Sequence, residues 1–253
     1  MATSRQKEIE RIHEERLARL QEMLKEPPKT ASTICIDTET TGLKPEENGI
    51  VELAIVSAES EILFHERLNP GDVRWTRKAT EVNGISRKDV AGELTLDDYR
   101  PIIQAIFDAA DTIIGYNTDF DLDFLAENGI IPRHAKVVDV MTMYSYVVGQ
   151  YDEYHGDYRY QKLTRCAAQY KYKWTEKAHG ALADALATIY CYPKVAAAYD
   201  KKRNGGKERK TSGKTSIKKQ AAAGQQGCLV YLVSAATFLL VVMGLIGTII
   251  SAI

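Results

Sequence analysis

Apolar residues follow three patterns along this chain, and each predicts a different kind of structure. Over 5–26, Ile9, Ile12, Leu17, Leu20 and Leu24 recur at three- to five-residue steps among Glu and Arg. That spacing predicts an amphipathic helix, stopped by Pro27-Pro28. From residue 33 the pattern shifts to short apolar runs: T-I-C-I-D, G-I-V-E-L-A-I-V-S and E-I-L-F-H-E-R-L. These predict strands over 33–37, 49–57 and 61–68, close enough in sequence to form a meander. Helical spacing returns over 93–110, with Ile102, Ile103, Ile106 and Phe107 inward. A strand over 112–116, a helix over 119–128 closed by Gly129 and a short strand at 137–138 ending at Asp139 come next. Helices over 140–148, 162–170 and 179–199 complete the set. Strands first, then strands alternating with helices, predict an α/β fold with a mixed sheet flanked by helices.

The third pattern is the run 228–253, C-L-V-Y-L-V-S-A-A-T-F-L-L-V-V-M-G-L-I-G-T-I-I-S-A-I, which carries no charge. About 20 apolar residues cross a bilayer as a helix, so the expectation is a C-terminal transmembrane tail anchor. The segment before it, 201–227, is rich in Gly, Lys, Ser, Thr, Ala and Gln and is expected to be a flexible linker. Its lysines place the preceding domain on the cytoplasmic side by the positive-inside rule. Four parts are therefore expected: an N-terminal helix within 1–28, a central α/β domain over 29–200, the linker over 201–227 and the anchor over 228–253. The N-terminal helix is read as packing on the domain or acting as a spacer, with self-association or docking on a polymerase as alternatives.

Charge sharpens this division. From Lys201 to Lys219 there are nine Lys or Arg against one acid, Glu208, whereas outside this stretch and the first helix 18 basic residues face 27 acidic ones. An acidic domain is poorly suited to gripping a long duplex, whose affinity comes from neutralising phosphates. It suits a cation-filled pocket that takes a strand end. The cysteines Cys35, Cys166, Cys191 and Cys228 show no C-x-x-C spacing and read as reduced thiols. Eight of the 14 tyrosines lie between Tyr144 and Tyr172. They read as half-buried helix and loop residues or as a stacking surface for bases.

The chemistry concentrates in three clusters. Asp37 and Glu39 stand in I-C-I-D-T-E-T-T-G-L at the end of a strand, and positions i and i+2 of extended chain share a face. Asp121 stands in N-T-D-F-D-L-D-F-L near a helix start, with Asp119 and Asp123 as alternative carboxylates. His179 and Asp184 stand in H-G-A-L-A-D-A. Five residues on a helix is about 140° of rotation, so His179 belongs at or just before the helix start and Asp184 inside it. Clustered carboxylates bind hard divalent cations, and a histidine beside them can take a proton from water.

Together these motifs resemble the DEDDh 3′–5′ exonuclease superfamily, whose relatives include the epsilon proofreading subunit of bacterial DNA polymerase, ribonuclease T and oligoribonuclease. The likeness spans about residues 30–200. It implies a ribonuclease H-like fold, and Asp37, Glu39, Asp121 and Asp184 holding two Mg²⁺ or Mn²⁺ ions. It makes His179 the general base and places Thr38, Leu43, Asn83 and Asn117 beside the terminal nucleotide. Asp139 is read as structural. Gly180 departs from the pattern, since relatives often carry Arg or another larger residue there. The implied activity is removal of 5′-mononucleotides from 3′ ends of single-stranded nucleic acid, DNA before RNA. A non-catalytic nucleic-acid-binding module at a membrane is the rival reading. All five chemical residues stand in place against it.

Overall fold

The computed structural model describes residues 3–174 and 178–211. A five-stranded sheet forms its centre, in the order β3-β2-β1-β4-β5. Strands β1 (Thr33–Thr40), β2 (Ile50–Ser57) and β3 (Ile62–Arg67) make the expected antiparallel meander. Strands β4 (Thr112–Gly115) and β5 (Lys136–Asp139) run parallel to β1, so the sheet is mixed. β1 reaches three residues past the end that its apolar run predicts. Its polar residues pair with β2, Thr38 opposite Leu53 and Glu39 opposite Glu52, before a bulge at Thr40. Ladder hydrogen bonds, not hydrophobicity, carry the strand through the first acidic cluster.

Alternating residues of the strands build two cores. On one face Ile34, Ile36, Leu53, Ile55 and Ile113 pack with α3 (Leu96–Asp108) and with Phe124 and Leu125 of α4 (Thr118–Glu127). On the other, Cys35, Ala54, Val56 and Ile114 pack with α5 (Val140–Val148), α6 (Leu163–Gln169) and α7 (Ala181–Thr211). The result is helices on both sides of one sheet, the layering that strands alternating with helices predict. A capping box between Thr95 and Asp98 starts α3 three residues after its expected start. Helix α2 (Arg77–Asn83) was not visible in the apolar pattern because it buries none of its residues. The small hairpin of β6 (Tyr151–Asp152) and β7 (Asp157–Tyr158) is too short to show alternation.

Helix α1 (Ser4–Met23) lies on its own domain. Leu20 and Met23 join the first core, and Ile12 packs so closely on Gly92 that a Cβ there would sit 2.9 Å from it. Arg16 pairs with Glu93 and Arg19 with Glu66. Most of the apolar face that suggested self-association or a polymerase contact is therefore occupied within the chain; Leu17 and Leu24 remain exposed. Helix α7 continues to Thr211, so residues 201–211, expected to be linker, are helical. Lys and Arg are good helix formers, and their low hydrophobicity hid the continuation. The rest of the expected linker and the expected anchor over 228–253 lie outside the described residues. Among the described residues no helix is long and apolar enough to cross a membrane.

Candidate active site

The parity of β1 aims the first cluster. Cys35 faces α7 and lies within hydrogen-bond reach of the Ala185 carbonyl, its Sγ donating across 3.5 Å. Asp37 and Glu39 are two and four residues further on and face the same way. Opposite them on β2 stand Ala54 and Glu52. The buried alanines of α7, Ala181, Ala183, Ala185 and Ala187, let this helix sit close over the strands. The first turn of α7 thus brings Asp184 down to β1. Carboxylate oxygens of Asp37, Glu39 and Asp184 lie within 4.8 Å of one another.

Asp121 reaches the same strand from the other layer. Asn117, the N-cap of α4, is in the left-handed conformation, φ 70°, and Thr118 turns inward to donate to the Val138 carbonyl at 3.0 Å. This turn is tight: a Cβ on Gly115 would meet Thr118 Oγ1 at 2.8 Å. The first turn of α4 then buries Asp121, while Asp119 and Asp123 are exposed. Asp121 Oδ1 accepts both the Thr38 N–H at 2.9 Å and the Thr38 hydroxyl at 2.6 Å. Thr38, expected beside the nucleotide, has its hydroxyl committed to holding Asp121. Asp139 caps α5 and also accepts the Asn117 N–H, a structural role.

His179 precedes α7, is exposed and has φ 72°. Its backbone N–H points at Asp184 Oδ1, 3.3 Å away. Leu43, just past the first cluster, is 77% exposed. Asn83 ends α2 and donates to the Thr40 carbonyl at 3.1 Å, tying that helix to the strand that bears Glu39. The Asn117 side chain is exposed and makes no cap hydrogen bond. Sequence reasoning missed Glu52. It is a buried acid facing Glu39, with Oε1 2.7 Å from His65 Nε2 and Oε2 accepting the Ala181 N–H at 3.4 Å. The available signal was one acid inside the otherwise apolar run I-V-E-L-A-I-V.

Electrostatically, acids dominate the cluster. Burial, then the charges of Asp121, Asp184, Glu39 and Glu52, hold the Asp37 carboxyl far above its usual range. Burial and then Asp184 push Glu39 up to about 8, with the Asn83 amide pulling the other way. Burial raises Asp121 to about 7 against the opposing Thr38 hydrogen bonds. Asp184 is raised by burial and partly relieved by the His179 N–H. Glu52 behaves differently. Burial pushes it up, yet His65 and the Ala181 N–H more than offset this and leave it below its usual value.

The exonuclease (RNase T) family model matches residues 34–192, which contain every one of these groups. The chain belongs to the exonuclease family. Among solved structures, exonuclease X in complex with 5′-overhanging duplex DNA is 19% identical at TM-score 0.49, covering 68% of this chain and 93% of that one. Exonuclease I, in a structure concerned with processivity, is 20% identical at TM-score 0.51, covering 69% of this chain and 41% of that one. The Neurospora crassa Pan2 catalytic unit, with protease and nuclease domains, is 16% identical at TM-score 0.50, covering 74% and 30%. The latter two share this exonuclease's fold, and the chain spans less than half of each. No curated protein matches the chain.

The donor set of this exonuclease fits a hard divalent cation. Three carboxylates converge, and among the described residues none of the three is ion-paired. Burial first, and neighbouring acids second, raise their proton affinities, and oxygen-seeking cations suit such a set of carboxylate oxygens.

Proposed function

We propose that the protein is a 3′–5′ exonuclease acting on single-stranded nucleic acid, DNA in preference to RNA, and releasing 5′-mononucleotides. The observation that carries this reading is the meeting of Asp37, Glu39 and Asp184 within 4.8 Å, inside the region the exonuclease family covers. Asp37, Glu39, Asp184 and, from behind, Asp121 would hold Mg²⁺ or Mn²⁺, two per site. Divalent cations so bound stabilise negative charge on the attacking and leaving oxygens of a phosphodiester displacement.

The chain's own groups do the rest. His179 takes the proton of the attacking water through its ring, and its exposed, pre-helical position leaves that ring free to reach the substrate. Leu43 and Asn83 contact the terminal nucleotide, Leu43 through an exposed apolar surface that a base can cover. Polarity and the preference for DNA rest on the resemblance of D-T-E-T-T-G-L and H-G-A-L-A-D-A to the proofreading exonucleases. For location, the uncharged run 228–253 supports a single-pass anchor with this domain on the cytoplasmic side.

The test is degradation of 5′-labelled single-stranded DNA and RNA of equal sequence with Mg²⁺ or Mn²⁺. A ladder shortening from the 3′ end, abolished by EDTA and reduced about 10²- to 10⁴-fold in His179→Ala, is expected. Equal or greater turnover on RNA would replace the DNA assignment with an exoribonuclease. Shortening of a 3′-labelled strand from its 5′ end would sink the polarity.

A further inference from the structure

A second concave site lies along α7, away from the carboxylates. Tyr199 is 15 residues beyond Asp184 on this helix, about 22 Å at 1.5 Å per residue. There Tyr146 of α5, Tyr158 of β7, Tyr160 and Tyr199 wall a cavity of about 170 Å³, with Ser145 among its lining residues. Tyr146 is the hub of the wall. Its ring stands edge-on to Tyr158 at 5.3 Å and tilted against Tyr199 at 5.0 Å.

Two features separate this cavity from a packing gap. Ser145 is only 2% exposed, yet its Oγ has no hydrogen-bond partner among the described residues. A buried hydroxyl left unpaired costs free energy, and a ligand with a donor or acceptor edge would satisfy it. Tyr160, on the rim, is 64% exposed although its ring lines the cavity. The cations alongside are Lys202 and Arg203. Lys202 Nζ sits 4.9 Å from the Tyr146 ring while donating to the Tyr146 carbonyl, and the Arg203 guanidinium lies 5.9 Å from the Tyr199 ring. Arg203 forms no ion pair among the described residues. Asp157, also lining the cavity, can accept from an amino or imino N–H.

We propose that this cavity binds a single nucleobase whose phosphate is met by Arg203. The volume is below the roughly 300 Å³ at which drug-sized sites begin, so it suits one ring system. Tyrosine faces stack on any base, and a neighbouring cation meets its phosphate. The base has two sources: an upstream nucleotide of the strand whose 3′ end lies at the carboxylates, or a free mononucleotide. The first source rests on the exonuclease reading, while the binding itself does not.

The experiment is equilibrium binding to the full chain in EDTA, which removes cleavage. Fluorescence anisotropy of labelled single-stranded DNA is compared among the native protein, Tyr160→Ala and Ser145→Ala, with dAMP as competitor. Tyr160→Ala removes an exposed ring and leaves the core untouched, so it tests binding without threatening the fold. Loss of one stacking partner should weaken binding on the order of tenfold. Turnover of a dinucleotide, too short to span the two sites, should be unchanged. Weaker oligomer binding in both variants, with no competition by dAMP, assigns the site to the strand. Saturable dAMP binding that is lost in both variants assigns it to the free nucleotide. If neither ligand discriminates native protein from either variant, the proposal is overturned. Variant-sensitive binding in a protein that cleaves no oligomer would sink the exonuclease reading and leave this site standing.

Discussion

Glu52 Oε2 accepts the backbone N–H of Ala181 at 3.4 Å, joining the middle of β2 to the first residue of α7. The same carboxylate pairs with His65 on β3. The first turn of α7 carries Asp184, and His179 stands two residues before the helix, so this buried acid ties the third motif to the first. Glu52→Ala should leave the His65 ring and the Ala181 N–H without a partner, costing about 1–3 kcal/mol of stability. Turnover should fall more than apparent substrate affinity, because the loss is one of positioning. Glu52→Gln keeps an acceptor and should recover part of the rate. Steady-state kinetics of the two variants beside thermal melts checks this, and equal kcat in Glu52→Ala would show that α7 holds its place without it.

Asp37 is the most crowded carboxylate of the site, raised by burial and by four acidic neighbours. Asp37→Ala should reduce cleavage on the order of a thousandfold or more, since several kcal/mol of charge stabilisation depend on the ions it would hold. The fold should survive, and the metal-free variant should melt higher than native protein at pH 8, because the cost of holding a buried carboxyl among other acids is gone. Near-native turnover would show that the ions, if bound, lie elsewhere.

Most of this architecture was legible in the chain. The apolar run of Ile34, Cys35 and Ile36 pointed to β1, and the spacing of Ile102, Ile103, Ile106 and Phe107 pointed to α3. The five-residue separation of His179 and Asp184 set the histidine before α7, where it stands. What was hidden is what hydrophobicity does not encode. The extension of β1 through Glu39 depends on pairing with β2. Helix α2, which delivers Asn83, buries nothing. Glu52 is a partner across a ladder, and no spacing along the chain points to it. Thr38, which the resemblance places beside the terminal nucleotide, also donates its hydroxyl to Asp121 on α4, a contact between layers that the chain pattern does not show.

That contact yields its own prediction. Thr38→Val keeps a β-branched residue in the strand and removes the hydroxyl that donates to Asp121 Oδ1 at 2.6 Å. The backbone N–H remains. The variant should lose about 1–2 kcal/mol of stability, a hydrogen bond to a charged group being lost, and should need several-fold more Mg²⁺ or Mn²⁺ for half-maximal rate. Metal titration of the rate checks this. An unchanged requirement would mean that the backbone N–H alone orients Asp121.

Metal should offset the fall of stability with rising pH. Glu39 at about 8 and Asp121 at about 7 bind protons more tightly in the folded chain than the carboxyl values near 4 of an unfolded one. Between about pH 4 and pH 8 the metal-free native state therefore holds more protons than the unfolded state, and its stability falls as pH rises. The share lost through Glu39 and Asp121 is complete above the folded value of Glu39, near pH 8, and the raised Asp37 carboxyl adds to the fall. Divalent cations bind the ionised carboxylates, so their stabilisation grows as those protons leave. Thermal melts in EDTA should descend from pH 5 to pH 8, and the increment produced by saturating Mg²⁺ or Mn²⁺ should be larger at pH 8 than at pH 5. A metal increment that shrinks with pH would mean that these carboxylates are not the ligands, since protons and cations would then not compete for the same oxygens.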